Sequence, residues 1–244
     1  MIEKIIIDKV GSCYQKESVV LRKGSKKEIE FPALIAIIKH KKYGNILYDT
    51  GYSDMFFDET KKYPAKIYRK LTKVIIDTTI EDVLEKYNLK MEDINYVFVS
   101  HFHPDHIGNL HKFVNARIFC SKEEYTMLIN ERSNLKKLKH GFFEKMIPDN
   151  ISESMISFEE LLSIDIENHT KKGRKLFEDN NLIAIPLYAH RKGQHGLLVN
   201  YNNKKYFFVS DSIWVIDNIH ETNPSFGLKL VFENFKLYND EIEE

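Results

Sequence analysis

Short runs of Ile and Val, cut by Gly, Lys and Pro, fill the first fifty positions. Apolar runs of that length, bounded by turn residues, read as strands. Strands are predicted at 2–8, 18–22, 33–40 and 45–48, with Lys41-Lys42-Tyr43-Gly44-Asn45 as a hairpin loop and Asp49-Thr50-Gly51 as a closing turn. From 52 to 77 the pattern loosens. Phe56, Phe57, Tyr63, Tyr68 and Leu71 stand among Lys and Arg, and Pro64 interrupts, so a short helical excursion is expected. These aromatics either pack into the core or flank a substrate entrance. A helix should open at Thr78 or Thr79, because Glu81 stands three after Thr78 in a capping-box spacing and Val83, Leu84 and Tyr87 give an apolar face. A strand at 94–100 follows, then one at 116–120, then a second capping box at Ser121 to Glu124. Strands return at 182–187, 196–201 and 205–210, the last two joined by Asn202-Asn203-Lys204. The tail 226–244 reads as one helix with Leu228, Val231, Phe232, Phe235 and Tyr238 apolar. The order β-rich, helical, β-rich, helical favours an α/β fold layered as αββα, in one domain over 1–244.

Composition narrows the partners. The chain has 244 residues and is 43% hydrophobic, enough for a substantial core. Lys+Arg 36 equals Asp+Glu 36, so no basic field exists to hold a polyphosphate backbone. A small-molecule substrate is expected rather than nucleic acid. Two cysteines, Cys13 and Cys120, make no disulfide framework and suit a reducing compartment. No apolar run of 18 residues predicts a membrane span, and the start Met1-Ile-Glu-Lys-Ile-Ile-Ile-Asp8 reads as a strand rather than a secretion signal. A soluble cytoplasmic protein is the expectation. Nothing in the pattern reports an oligomeric state.

The chemistry concentrates at His101-Phe102-His103-Pro104-Asp105-His106. On an extended segment the two imidazoles of His-x-His point to one face. Asp105 and His106 follow at once, so the chain must turn and present a second pair of donors. Imidazole and carboxylate donors suit zinc, and also iron or manganese. His190 stands just past the apolar strand at 182–187, placed to complete a three-histidine set. His195, five residues on, is read as a partner that orients a ligating imidazole, or as a structural residue. Asp211 ends the strand at 205–210, where a carboxylate can bridge two cations.

Taken in this order, His101-x-His103-x-Asp105-His106, then His190, then Asp211 resemble the metallo-β-lactamase superfamily of hydrolases. Asp49-Thr50-Gly51 resembles the Asp-Thr-Gly turn that these proteins carry under the site, and Gly108-Asn109 also fits. The resemblance implies a four-layer αββα sandwich, with a C-terminal part that is short here. It implies one or two zinc ions: His101, His103 and His190 on the first, Asp105 and His106 on the second, Asp211 bridging, and Asp49 behind the ligands. Within the superfamily the chain is most similar to the branch of N-acyl homoserine lactonases. Two departures stand out. The family supplies a last His to the second metal, whereas the only His beyond Asp211 is His220, so that metal is expected to be weaker or completed by water. Lactonases of this branch carry Tyr three residues after the bridging Asp; Trp214 stands there, without a phenol to polarise a carbonyl.

The function expected from this resemblance is hydrolysis of an ester, lactone or thioester bond in a small molecule by metal-activated hydroxide, with Asp105 orienting the attacking water or taking its proton. Phe56, Phe57, Tyr63, Tyr68 and Trp214 are the candidate pocket residues. Alternatives are a phosphodiesterase-type hydrolase, a di-iron redox relative using the same ligands, and a binding protein that keeps the fold with an incomplete second site.

Overall fold

Fully buried Ile35, Ile37 and Ile38 on one strand and Val97 and Phe98 on another show why these runs are strands: both faces are covered by apolar side chains. The computed structural model describes residues 1–166, 170–220 and 225–243. It divides into two compact units, each taken by itself below.

The first unit comprises Met1–Tyr14 and Glu30–Ser157. Its sheet has seven strands among the described residues: β1 (Ile2–Lys16), β2 (Glu28–His40), β3 (Gly44–Tyr48), β4 (Lys73–Ile75), β5 (Ile94–Phe98), β6 (Arg117–Cys120) and β7 (Met155–Ser157), in the order β4-β1-β2-β3-β5-β6-β7. The β2–β3 hairpin is antiparallel, turning at Lys41–Tyr43 as the loop residues predict. β3, β5, β6 and β7 run parallel. Parallel neighbours release their following loops at the same sheet edge. The residues after β3, starting at Asp49, therefore meet those after β5, starting at Val99.

The second unit comprises Gln15–Ile29 and Phe158–Glu244. Its sheet is antiparallel throughout: β8 (Ser163–Ile164), β9 (Gly173–Lys175), β10 (Leu182–Pro186), β11 (His195–Tyr201) and β12 (Lys204–Phe208), in the order β12-β11-β10-β9-β8. Pro186 pairs with His195, and Leu197 pairs with Phe208. The β10–β11 connection carrying His190 and the exit of β12 carrying Asp211 thus lie at one edge of this sheet. Asn202 and Asn203 turn β11 into β12 with φ of 51° and 59°, the left-handed pair a two-residue hairpin needs. A large mixed sheet and a second antiparallel sheet make the mixed α/β class expected from the strand–helix alternation.

Four local readings change. Residues 18–22 are not a strand: Glu17–Val20 form a helical turn. Leu21 N–H donates to the Glu17 carbonyl, Ser25 N–H donates to the Glu17 carboxylate, and the Asn218 amide donates to the Val20 carbonyl. Tertiary partners outweigh the β-propensity of Val19 and Val20. The excursion at 52–77 resolves into helices Met55–Glu59 and Ala65–Leu71 and then strand β4. The helix Ile80–Lys86 starts one residue later than the Thr78–Glu81 spacing predicts, with Thr79 as N-cap and Asp82 closing the box. The tail is two helices, Phe226–Val231 and Lys236–Glu243, since Phe232 is extended; Glu244 lies outside the described residues.

The Thr79 hydroxyl accepts the Asp82 N–H while the Asp82 carboxylate accepts the Thr79 N–H at 2.9 Å. Thr79→Ala is expected to lower the unfolding free energy by about 1 kcal/mol in urea titration; an unchanged midpoint would show that the cap carries no weight here.

Candidate metal centre

Strand β5 ends at Phe98, and Val99 N–H still donates to the Phe119 carbonyl, so the residues that follow start from a rigid edge. The chain bends at Phe102 and His103, with His103 itself at extended dihedrals. Phe102 turns into the core against Tyr125 and Phe142, and the two flanking imidazoles come together with ring centroids 4.5 Å apart. This is the two-residue alternation of side chains. His103 then serves as N-cap of the helical turn Pro104–Ile107, with proline at its first position. The turn brings His106 to 4.1 Å from His101, ring to ring, and places Asp105 Oδ2 at 3.5 Å from His106 Nε2.

Asp49 stands behind this group. It sits at φ 54°, a left-handed conformation that Asp tolerates better than most residues. Its Oδ1 accepts Ser100 N–H at 2.8 Å, and its Oδ2 accepts the Ser100 hydroxyl at 2.9 Å and His106 Nδ1–H at 2.7 Å. With Nδ1 donating to the carboxylate, Nε2 of His106 keeps its lone pair for a cation. Burial pushes the Asp49 carboxyl up from the usual carboxylate range, against the opposing pull of His106 and the Ser100 hydrogen bonds. The rest of the turn is locked too. Thr50 N–H and hydroxyl donate to the His106 carbonyl at 2.7 and 3.0 Å, and the buried Asn109 amide donates to the Thr50 and Tyr52 carbonyls. Gly51 lies against Val10 at φ 69°, where a side chain has neither room nor an easy backbone. Gly141, at φ 63°, lies beside His103: a Cβ there would come within 2.9 Å of its ring and 3.3 Å of the Tyr68 hydroxyl.

In the second unit His190 is fully buried, with Nε2 at 3.2 Å from Asp211 Oδ2. Its ring stands edge-on to Phe232 and Trp214. Asp211 occupies a 3-10 turn, Ser210–Ser212, entered through Ser210 at φ 51°. The buried Gln194 amide donates to the Ser212 hydroxyl at 2.9 Å, tying the histidine loop to the aspartate turn.

The remaining predicted residues fall as follows. His195 is buried; its Nδ1–H donates to the Gly193 carbonyl at 2.9 Å, and its ring packs on Phe158 and Tyr188. Burial pushes its pKa down to about 4. Phe56 lies wholly inside the core, T-shaped to Tyr52, Phe57, Tyr68 and Phe143. The expected place at a substrate entrance does not fit a side chain with no accessible surface, and its role is packing. Phe57 and Tyr68 are partly buried against that core, whereas Tyr63 is 65% exposed. Trp214 commits its indole N–H to the Asp211 carbonyl at 3.1 Å. His220 is exposed at the end of the turn Ile216–His220. Sequence reasoning did not find Ser100, which touches Asp49, His101 and His106; its only mark is that it directly precedes the motif.

Residues 58–242 match the family of the anti-Pycsar protein Apyc1. The chain belongs to that family. Among solved structures, an N-acyl homoserine lactone hydrolase with the product N-hexanoyl-L-homoserine at its catalytic metal centre is similar at a TM-score of 0.71 and 16% identity, covering 100% of this chain and 87% of that one. AidC, a dizinc quorum-quenching lactonase, is similar at 0.66 and 20% identity, covering 100% and 84%. A probable metal-dependent hydrolase from Staphylococcus aureus is similar at 0.70 and 18% identity, again covering 100% and 84%. At such identities the likeness is one of fold, and it bears out the resemblance to the metallo-β-lactamase superfamily. The neighbours are metal-dependent hydrolases, and the His and Asp side chains of this chain are grouped so that they could hold a metal ion. No helix among the described residues is long and apolar enough to cross a membrane.

His195 supplies a pH test. Its pKa in the folded chain is about 4, below the 6.5 of an unfolded histidine, so between these values the unfolded chain binds more protons. The stability it contributes is complete above about pH 6.5 and is lost as pH falls toward 4, on the order of 3 kcal/mol in all. His195→Gln should flatten this part of the stability–pH curve in denaturant titrations; an identical slope in both proteins would assign the acid sensitivity elsewhere.

Proposed function

We propose that this chain is a metal-dependent hydrolase that cuts an ester-type bond in a small molecule. The observation that carries the reading is the buried Asp49–His106 pair at 2.7 Å, which aims His106 Nε2 outward beside the rings of His101 and His103. A carboxylate–histidine pair of this kind fixes tautomer and raises the basicity of a ligand, which a merely structural histidine does not need. The donor set suits zinc, with iron or manganese also accommodated.

The proposed assignment is that His101, His103 and His190 hold one cation, that Asp105 and His106 hold a second, and that Asp211 is shared between them. A divalent cation so bound supplies Lewis acidity and makes water nucleophilic at neutral pH. Asp105 is the carboxylate placed beside His106 to take the proton of the attacking water. Asp49 and Ser100 hold the imidazoles so that no reorganisation is needed when charge develops. Among the described residues His220 points to no ligand role, so the second cation is expected to bind more weakly than the first.

A carboxylic ester, lactone or thioester is one substrate class, and the lactone hydrolases among the similar structures support it. A second reading, phosphodiester cleavage, is favoured by Trp214. Three residues past Asp211, where a phenol could polarise a carbonyl, the indole N–H is already held by the Asp211 carbonyl. The family name adds a functional frame: the namesake protein is anti-Pycsar.

Metal analysis with a hydrolysis panel of lactones, thioesters, β-lactams and phosphodiesters tests the proposal. Bound zinc, activity abolished by chelation and restored by zinc, and turnover confined to one bond class are expected; a chain that binds no metal at saturating zinc would sink it. His103→Ala should abolish turnover, whereas Asp49→Asn should lower zinc affinity about 10–100-fold, as loss of a partner behind a ligand does. Equal, mild losses in both variants would remove His103 from the ligand set.

A further inference from the structure

The C-terminal helix Lys236–Glu243 carries a carboxylate that the motifs do not account for. Glu241 is buried, its side chain 1% exposed, where an unpartnered charge would be costly. Its partners are specific. Lys171 Nζ lies 2.7 Å from Oε1, and the backbone N–H of Ala189 lies 3.2 Å from both Oε1 and Oε2. Ala189 immediately precedes His190. The same stretch receives four further ties from the segment just before the helix. Glu233 N–H donates to the His190 carbonyl at 3.1 Å, Asn234 N–H donates to the Ala189 carbonyl at 3.0 Å, and the Glu233 carboxylate accepts Lys192 N–H at 3.0 Å and pairs with Arg191 at 2.8 Å.

We infer that Glu241 is a positioning residue for His190, the carboxylate through which the C-terminal helix sets the backbone of the ligand loop. The imidazole direction of His190 follows from the φ and ψ of residues 189–191. The two N–H···O contacts at Ala189 fix the peptide that enters that stretch, and Glu233 and Asn234 fix the peptides that follow. The Lys171 ion pair holds the carboxylate in place inside the unit. This inference rests on the metal-hydrolase reading, because His190 matters as a ligand only there.

The test compares Glu241→Ala, Glu241→Gln and Lys171→Met in the full chain by hydrogen exchange of the peptide over 188–192, by zinc affinity in competition titration, and by Tm. Glu241→Ala should speed exchange at 189–192 and weaken zinc binding about 10–100-fold. Glu241→Gln should recover part of both, since its amide oxygen still accepts the Ala189 N–H, and Lys171→Met, which takes away the ion pair but leaves the Ala189 N–H bonds, should weaken zinc binding less than Glu241→Ala. If Glu241→Ala fails to fold, the Gln and Met variants carry the comparison. Unchanged exchange at 189–192, or faster exchange with zinc affinity within twofold of the parent, overturns the inference. A parent chain that binds no zinc overturns the metal reading and the positioning role with it, and slow exchange at 189–192 in that chain would show the clamp intact, so the two failures are told apart.

Discussion

The buried Asp49 carboxylate is the constraint on which the rest of the first unit's site depends. A carboxylate removed from water costs several kcal/mol unless its lone pairs are filled, and here Ser100 N–H, the Ser100 hydroxyl and His106 Nδ1–H fill them. The relation runs both ways. Moving His106 would strand the charge, and moving Asp49 would free the imidazole to rotate. Because β3 and β5 are parallel neighbours, Asp49 and Ser100 leave the sheet at the same edge, and the pairing is a consequence of topology. Thr50 and Asn109 then fasten the turn to the helix that carries His106. These hydrogen bonds fix the orientation of the His106 ring from the protein side.

The second unit reaches a comparable result by other means. The backbone around His190 is tied by Glu233, Asn234 and Glu241, all from the last dozen or so residues of the chain. The break between the two C-terminal helices follows from this. Phe232 leaves the helical conformation, and the N–H groups of Glu233 and Asn234, which a continuous helix would spend on its own carbonyls, go to the carbonyls of His190 and Ala189. A helix interrupted at 232–235 is thus the form that lets one segment both pack and hold a loop.

The legibility of the chain follows the range of the interactions involved. His-x-His-x-Asp-His is legible because its geometry is local: alternation along a short segment and then one helical turn suffice to bring the donors together. The strand at 182–186 is legible because burial on both faces leaves a continuous apolar run. The Asn202-Asn203 hairpin is legible because the turn demands residues that tolerate positive φ. Non-local partners hide the rest. Val19 and Val20 suggest a strand until the Ser25 and Asn218 hydrogen bonds are known. Phe56 sits in an aromatic run that reads equally as core or pocket, and Tyr52, Tyr68 and Phe143 enclose it from three other segments. Ser100 and Glu241 act on neighbours that no spacing rule links to them.

What distinguishes carbonyl from phosphorus chemistry is also non-local. A metal-activated water can attack either electrophile, so histidine and carboxylate donors alone do not choose between them. The choice belongs to groups beside the ligands that meet the developing charge or the leaving group. Two of these can be named within their own units. Trp214 is fixed by its N–H and stands edge-on to His190, an apolar surface with no donor left to offer a carbonyl oxygen. The Tyr68 hydroxyl and the His103 ring lie beside the same glycine, Gly141, where an added Cβ would meet both.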